Sequence, residues 1–133
     1  YLEYGHVKLR EQLGLLSGPV EEFQKSAADE HNAMLRMLVE EGYLDKAALD
    51  DEAANENEIV DALYRGLKGS PCKLMAASIV DAVGEKRTQN QPGTNNEYPN
   101  WRIPLADGEG NVVPLEKLFD EPRLQEITAI MRG

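Results

Sequence analysis

Cysteine is nearly missing: Cys72 is the only one in 133 residues. No intrachain disulfide can form, and no cysteine-built metal framework exists. A lone thiol fits a reducing cytoplasm, which is the expected location. Histidine is almost as scarce. His6 and His31 both fall on helical stripes with no carboxylate placed to complete a metal set. Packed or edge histidines are expected there, so no metal is expected, and no other cofactor. No apolar run approaches the roughly 18 residues of a membrane span, and no signal-peptide pattern opens the chain. Positive charge is in short supply: 14 Lys and Arg face 24 Asp and Glu, a formal charge of -10. Such a surface repels phosphate backbones and anionic lipid, so neither nucleic acid nor a membrane is an expected partner. No Gly-x-Ser-x-Gly, phosphate-binding glycine loop or His-Glu-x-x-His occurs. Asp50 and Asp51, with Glu52, Glu56 and Glu58, sit in polar, helix-capping sequence and read as solvated surface.

What remains is an ordinary globular composition, 41% apolar and 29% charged. That is enough for one domain with a core. Residues 2–16 predict an amphipathic helix, with Leu2, His6, Leu9, Leu13 and Leu16 on one face. Ser17-Gly18-Pro19 breaks it, and Pro19 suits the first position of a second helix running to Glu41. The second stripe is Val20, Phe23, Ala27, His31, Leu35 and Leu38. Gly42 suits its stop. A short helix is expected near Lys46–Leu49. Asn55 and Glu58 have capping-box spacing ahead of a third long helix whose stripe is Ile59, Leu63 and Leu67. Gly69-Ser70-Pro71 ends that helix.

The texture then changes. Residues 74–80 are almost unbroken apolar between Pro71 and Gly84, which predicts a strand over 73–80 buried on both faces, although the alanines and Met75 would also suit a helix. Residues 84–104 have no period and are rich in Asn, Gln, Gly and Pro, with the only Trp of the chain. A loop this long without structure of its own is usually functional or disordered. Its amides could both donate to and accept from sugar hydroxyls, and Tyr98 and Trp101 could stack on pyranose faces. Equally, Trp101 could plug a core and the amides could form turns. Asp107–Asn111 reads as a turn, and Asp120-Glu121-Pro122 opens a final helix with Leu124, Ile127 and Ile130 or Met131 inward. The fold class is therefore α/β, mostly helical. One strand without partners, together with a start at Tyr1 rather than Met, suggests a piece of a larger sheet or barrel.

Asn90-Gln91-Pro92-Gly93-Thr94, followed by Glu97-Tyr98-Pro99-Asn100-Trp101-Arg102, resembles the end of the amylomaltases, the 4-α-glucanotransferases of bacteria and plants. There an Asn-x-Pro-Gly-Thr segment follows the eighth barrel strand, and an Asn-Trp-Arg element comes soon after. Asp81-Ala82-Val83-Gly84 looks like the acidic turn between that strand and its loop. Tyr1-Leu2 and residues His6 to Leu16 look like the helix after the family's Thr-His-Asp motif.

The resemblance implies a C-terminal segment of a (β/α)₈ barrel: a helical region 1–70, the last barrel strand and substrate loop 71–104, and a C-terminal turn and helix 105–133. It implies a retaining transfer of α-1,4-glucan segments between maltooligosaccharides, and the rest of the same barrel as the structural partner. Retention needs two facing carboxylates. In the family these precede the point matching Tyr1, so no catalytic residue is expected here and the isolated chain should be inactive. Asn90 matches the family's substrate-contacting Asn, and Gln91, Pro92 and Gly93 shape the binding loop with it. Asp81, Gln89, Trp101 and Arg102 are expected as supports behind the contact, Trp101 and Arg102 by anchoring the returning chain. The rival expectation is a non-enzymatic acidic helical interaction module, which explains the charge and helices but not the loop.

Overall fold

The computed structural model describes residues 5–132. Among these described residues six α-helices follow one another: α1 Gly5–Gln12, α2 Val20–Glu40, α3 Glu56–Gly69, α4 Ile79–Val83, α5 Leu115–Leu118 and α6 Pro122–Arg132. A 3₁₀ turn, Lys46–Asp51, joins α2 to α3. Among the described residues, strand pairing is limited to one antiparallel bridge, Ala106 with Val112.

The stripe expected on α2 is the one it buries: Ala27, Leu35 and Leu38 are inside, and Leu38 is fully covered. Pro19 stands just before the helix, with an extended ψ of 136°, not within its first turn. The helix stops at Gly42, whose φ of +77° lets Tyr43 and Leu44 donate back to the Leu38 carbonyl at 2.8 and 3.1 Å. A left-handed residue satisfies the last helical carbonyls in this way. The chain then folds under itself. Leu35, Leu38, Leu44, Ala48, Ile59 and Ala62 form one core, with Tyr43, Leu49 and Leu63 packed against it. A fully buried leucine in such a core contributes about 1.5–3 kcal/mol.

A second core lies on the other side of α3. Tyr64, Ala82 and Ile127 are buried together, flanked by Val60, Leu67, Leu124, Ile130 and Met131. The α6 stripe is the expected one, and Pro122 occupies its first turn, where a missing N–H costs nothing. Lys68 Nζ donates to the carbonyls of Met131 and Arg132 at the far end of α6, at 2.8 and 3.1 Å. Arg123 bridges to Asp61 at 2.9 Å near its start.

Several expectations need correction. The first helix was expected over 2–16. It ends at Gln12, and residues 2–4, with Leu2, lie outside the described residues. Its buried residue is Val7, which was not on the expected stripe. Gly14, at φ +66°, and a bond from Leu15 N to Arg10 O of 2.8 Å fold the chain away from the helix.

The strand expected over 73–80 does not form. Residues 73–78 have no ladder partner among the described residues, and Leu74 is 94% exposed. Ser78 Oγ accepts from Val80 N at 3.2 Å and starts α4 instead. An extended segment needs a neighbour to satisfy its amides, whereas Ser78 offers the following residues a local cap.

Nor does the capping box form. Asn55 enters α3 with φ -105° and ψ 18°, neither helical nor the extended backbone usual for a cap, and makes no side-chain bond to the helix. Its Nδ2 reaches back to the Asp51 carbonyl at 2.8 Å and so fastens α3 to the 3₁₀ turn. Glu52 is not purely solvated surface either. It is half-buried and sits 2.6 Å from His31 Nε2.

Candidate functional site

The long loop keeps the irregular character its composition predicts, but it is thoroughly tied. Gly84, at φ +72°, ends α4 and turns the chain into it. Glu85 follows, its side chain 2% exposed. Glu85 Oε1 accepts from Arg87 N at 2.8 Å and Nε at 2.9 Å, and Oε2 accepts from Arg87 Nη2 at 2.6 Å and Ala106 N at 3.0 Å. The Arg87 guanidinium, with these backbone donors, holds the Glu85 carboxyl down to about 2, against the opposing effect of burial. Arg87 Nη2 also donates to the Pro104 carbonyl at 2.7 Å.

Further along, Trp101 N donates to the Gln89 carbonyl at 2.8 Å, and Gln91 N donates to Asn100 Oδ1 at 2.7 Å. Asn100 Nδ2 donates to Thr94 Oγ1 at 2.9 Å, while Thr94 Oγ1 donates to the Gln91 carbonyl at 2.7 Å. The Tyr98 hydroxyl donates to the Thr88 carbonyl.

Asn90 is half-buried within this web. Among the described residues its side-chain amide makes no hydrogen bond, although residues 88, 89 and 91 on either side are all held. Gln91 is buried and turns inward, its Nε2 donating to the Pro92 carbonyl at 3.2 Å. Pro92 is exposed. Gly93 takes φ +88° close to Leu15, where a Cβ would come within 3.4 Å of Leu15 Cδ2. The loop thus rests on the α1–α2 connection. Beside it an open cavity of about 520 Å³ lies between α1 (Gly5, His6, Leu9) and Lys86, Arg87, Thr88 and Tyr98. Burial holds the His6 imidazole below its ordinary range.

The supporting residues divide. Gln89 carries the carbonyl that accepts from Trp101, and its buried Nε2 has no partner among the described residues. Trp101 is not a core plug: it is 77% exposed and held at φ 58°. So bulky a residue in the left-handed region is strained, and such strain clusters at functional sites. Arg102 is exposed and, among the described residues, tied only through its backbone, N to the Pro99 carbonyl at 3.0 Å. Asp81 meets the loop only through its backbone, its carbonyl accepting from Gly84 N at 3.4 Å, while its side chain is directed elsewhere. Its Oδ2 accepts the Tyr64 hydroxyl at 2.6 Å.

Sequence reasoning missed the Glu85–Arg87 pair. Residues two apart do not face each other on a helix, and only this bend brings them together. An acid and an arginine two apart at the mouth of a structureless loop were the available signal. Among the described residues no group of His, Cys, Asp and Glu could hold a metal ion. No helix among them is long and apolar enough to cross a membrane.

The helices present one heavily tied, amide-rich loop, and similarity to known proteins shows the family of enzymes to which the chain belongs. Residues 16–109 match the family described as 4-alpha-glucanotransferase, and the chain belongs to that family. It is 43% identical over all its 133 residues to proteins named 4-alpha-glucanotransferase from Mycobacterium bovis and Mycobacterium tuberculosis. It covers 100% of itself but spans only 18% of their length. The crystal structure of amylomaltase from Corynebacterium glutamicum superposes on 98% of the chain with a TM-score of 0.87 and 32% identity, using 19% of that protein. These similarities favour the enzyme over the acidic interaction module.

Proposed function

We propose that the chain is the C-terminal portion of a retaining 4-α-glucanotransferase that moves α-1,4-glucan segments between maltooligosaccharides, and that its loop binds the substrate through Asn90. The chemistry of retention belongs to two carboxylates placed across the scissile bond. This chain supplies neither, so its part is to bind and orient. Residues 1–70, 71–104 and 105–133 act as one unit, the C-terminal part of a barrel. Packing of α3, α4 and α6 into one shared core supports that reading.

One observation carries the role of Asn90: its amide is uncommitted while its neighbours are all held. A side chain that spans donor and acceptor, on a backbone fixed on both sides, is pre-organised for a sugar hydroxyl. Gln91, Pro92 and Gly93 fix the path of that backbone, and Gln89 and Trp101 close it from behind.

The test is Asn90→Ala in the complete enzyme. A neutral hydrogen bond contributes about 0.5–1.5 kcal/mol. If it tightens as the sugar ring flattens, its loss falls on turnover. Turnover in maltotriose disproportionation should drop roughly ten-fold with the fold intact. Asn55→Ala, at the start of α3 and away from the loop, should cost about 1 kcal/mol of stability and leave turnover alone. Equal effects of the two substitutions on turnover would reduce Asn90 to a turn former.

A further inference from the structure

We propose that Glu85 and Arg87 form a clamp that positions Asn90 against the glucan. The inference rests on the reading of Asn90 as a substrate contact.

Cross-loop ties fall at alternate residues of the outgoing chain, with one more at Thr88, whose carbonyl accepts the Tyr98 hydroxyl. Glu85 holds Ala106, Arg87 holds Pro104, Gln89 holds Trp101 and Gln91 holds Asn100. Asn90 falls between the last two ties. The ties are unequal. Those at Gln89 and Gln91 are single neutral bonds, whereas the pair at the loop's mouth is ionic. Hydrogen bonds between ionised groups are roughly twice as strong as neutral ones.

The Glu85 carboxylate spends its acceptor capacity on four donors, three of them on Arg87. The guanidinium in turn reaches the far side of the loop. Neither group can be exchanged for a near relative. Lysine has no planar fork, and glutamine turns one acceptor into a donor facing other donors. The two residues touch nothing at Asn90 directly. They act by fixing the two ends of the segment that carries it. Small displacements of a contact group cost large factors in rate.

The experiment is a double-mutant cycle in the complete enzyme, with Glu85→Gln, Arg87→Lys and Asn90→Ala alone and in pairs. Turnover and KM for maltotriose are read, with melting temperature as the check on folding. Glu85→Gln and Arg87→Lys should each lower turnover about ten-fold with KM nearly unchanged. In the Asn90→Ala background the same substitutions should cost less than two-fold, because about all of their effect passes through Asn90. If Glu85→Gln does not fold, Arg87→Lys completes the cycle alone. A full ten-fold loss in the Asn90→Ala background overturns the clamp and leaves the Asn90 contact standing. Unchanged turnover in Asn90→Ala itself overturns the contact and the clamp with it.

Discussion

Tyr64 on α3 donates its hydroxyl to Asp81 Oδ2 at 2.6 Å, and that hydroxyl oxygen in turn accepts from Ser78 N at 3.0 Å. One phenol therefore fixes both the cap and the first turn of α4. Burial and the bond to Asp81 push its ionisation above the ordinary range. Tyr64→Phe keeps the ring in its core but strands one donor and one acceptor. Both lie close to water, so the expected loss is about 1 kcal/mol. Denaturant unfolding of the complete enzyme measures it. A loss below about 0.3 kcal/mol would mean that water replaces the hydroxyl fully.

Glu85 carries a pH signature. Its carboxyl titrates at about 2 in the fold, against 4.5 unperturbed, with Arg87 as the largest cause. A depressed acid stabilises the folded state fully above its unfolded value and loses that contribution as pH falls through the folded one. The difference in stability between the parent and Glu85→Gln should thus be constant above about pH 4.5 and shrink between about 4.5 and 2. Acid unfolding curves of the two proteins test this. A difference that does not change below pH 4.5 would exclude Glu85 as the titrating group.

Gly69 reverses a familiar rule. Alanine for glycine near a helix end usually gains stability, by about 0.5–1 kcal/mol. Here an added Cβ would stand 2.1 Å from the Tyr43 hydroxyl and 3.1 Å from its Cζ. Tyr43 packs against the first core, so it must move to admit the methyl. Gly69→Ala should therefore destabilise, by about 1–3 kcal/mol as overpacking does. Thermal melting gives the sign, and a rise in melting temperature would show that Tyr43 yields freely.

Where local chemistry decides the structure, the sequence could be read directly. The α2 stripe, the stop at Gly42, the turn around Asp107 and the start of α6 at Pro122 all depend on a few adjacent residues. Asp107 Oδ1 accepts from both Glu109 N and Asn111 N at 2.9 Å, as a turn-forming aspartate should. The failures lie where a partner decides. An apolar run at 73–80 becomes a strand only if another strand meets it, and among the described residues none does. Asn55 had the right spacing for a box, but the preceding 3₁₀ turn had already set its backbone.

The candidate loop was legible to a similar extent. The loop and Asn90 stood out through composition and family likeness. The details of Trp101 did not. Its spacing gave no hint of a left-handed backbone, and its burial was misjudged by the plug alternative. The Glu85–Arg87 pair was hard to read because it depends on the local bend that turns two residues at this spacing toward each other.

Helix α3 turns Ile59 and Ala62 toward one core and Val60, Tyr64 and Leu67 toward the other. It is the shared wall of both. Amide protons in the middle of α3, around Ala62 and Leu63, should therefore exchange with deuterium only on global opening. Those of α1, which the chain buries at Val7 alone, should exchange through local fraying.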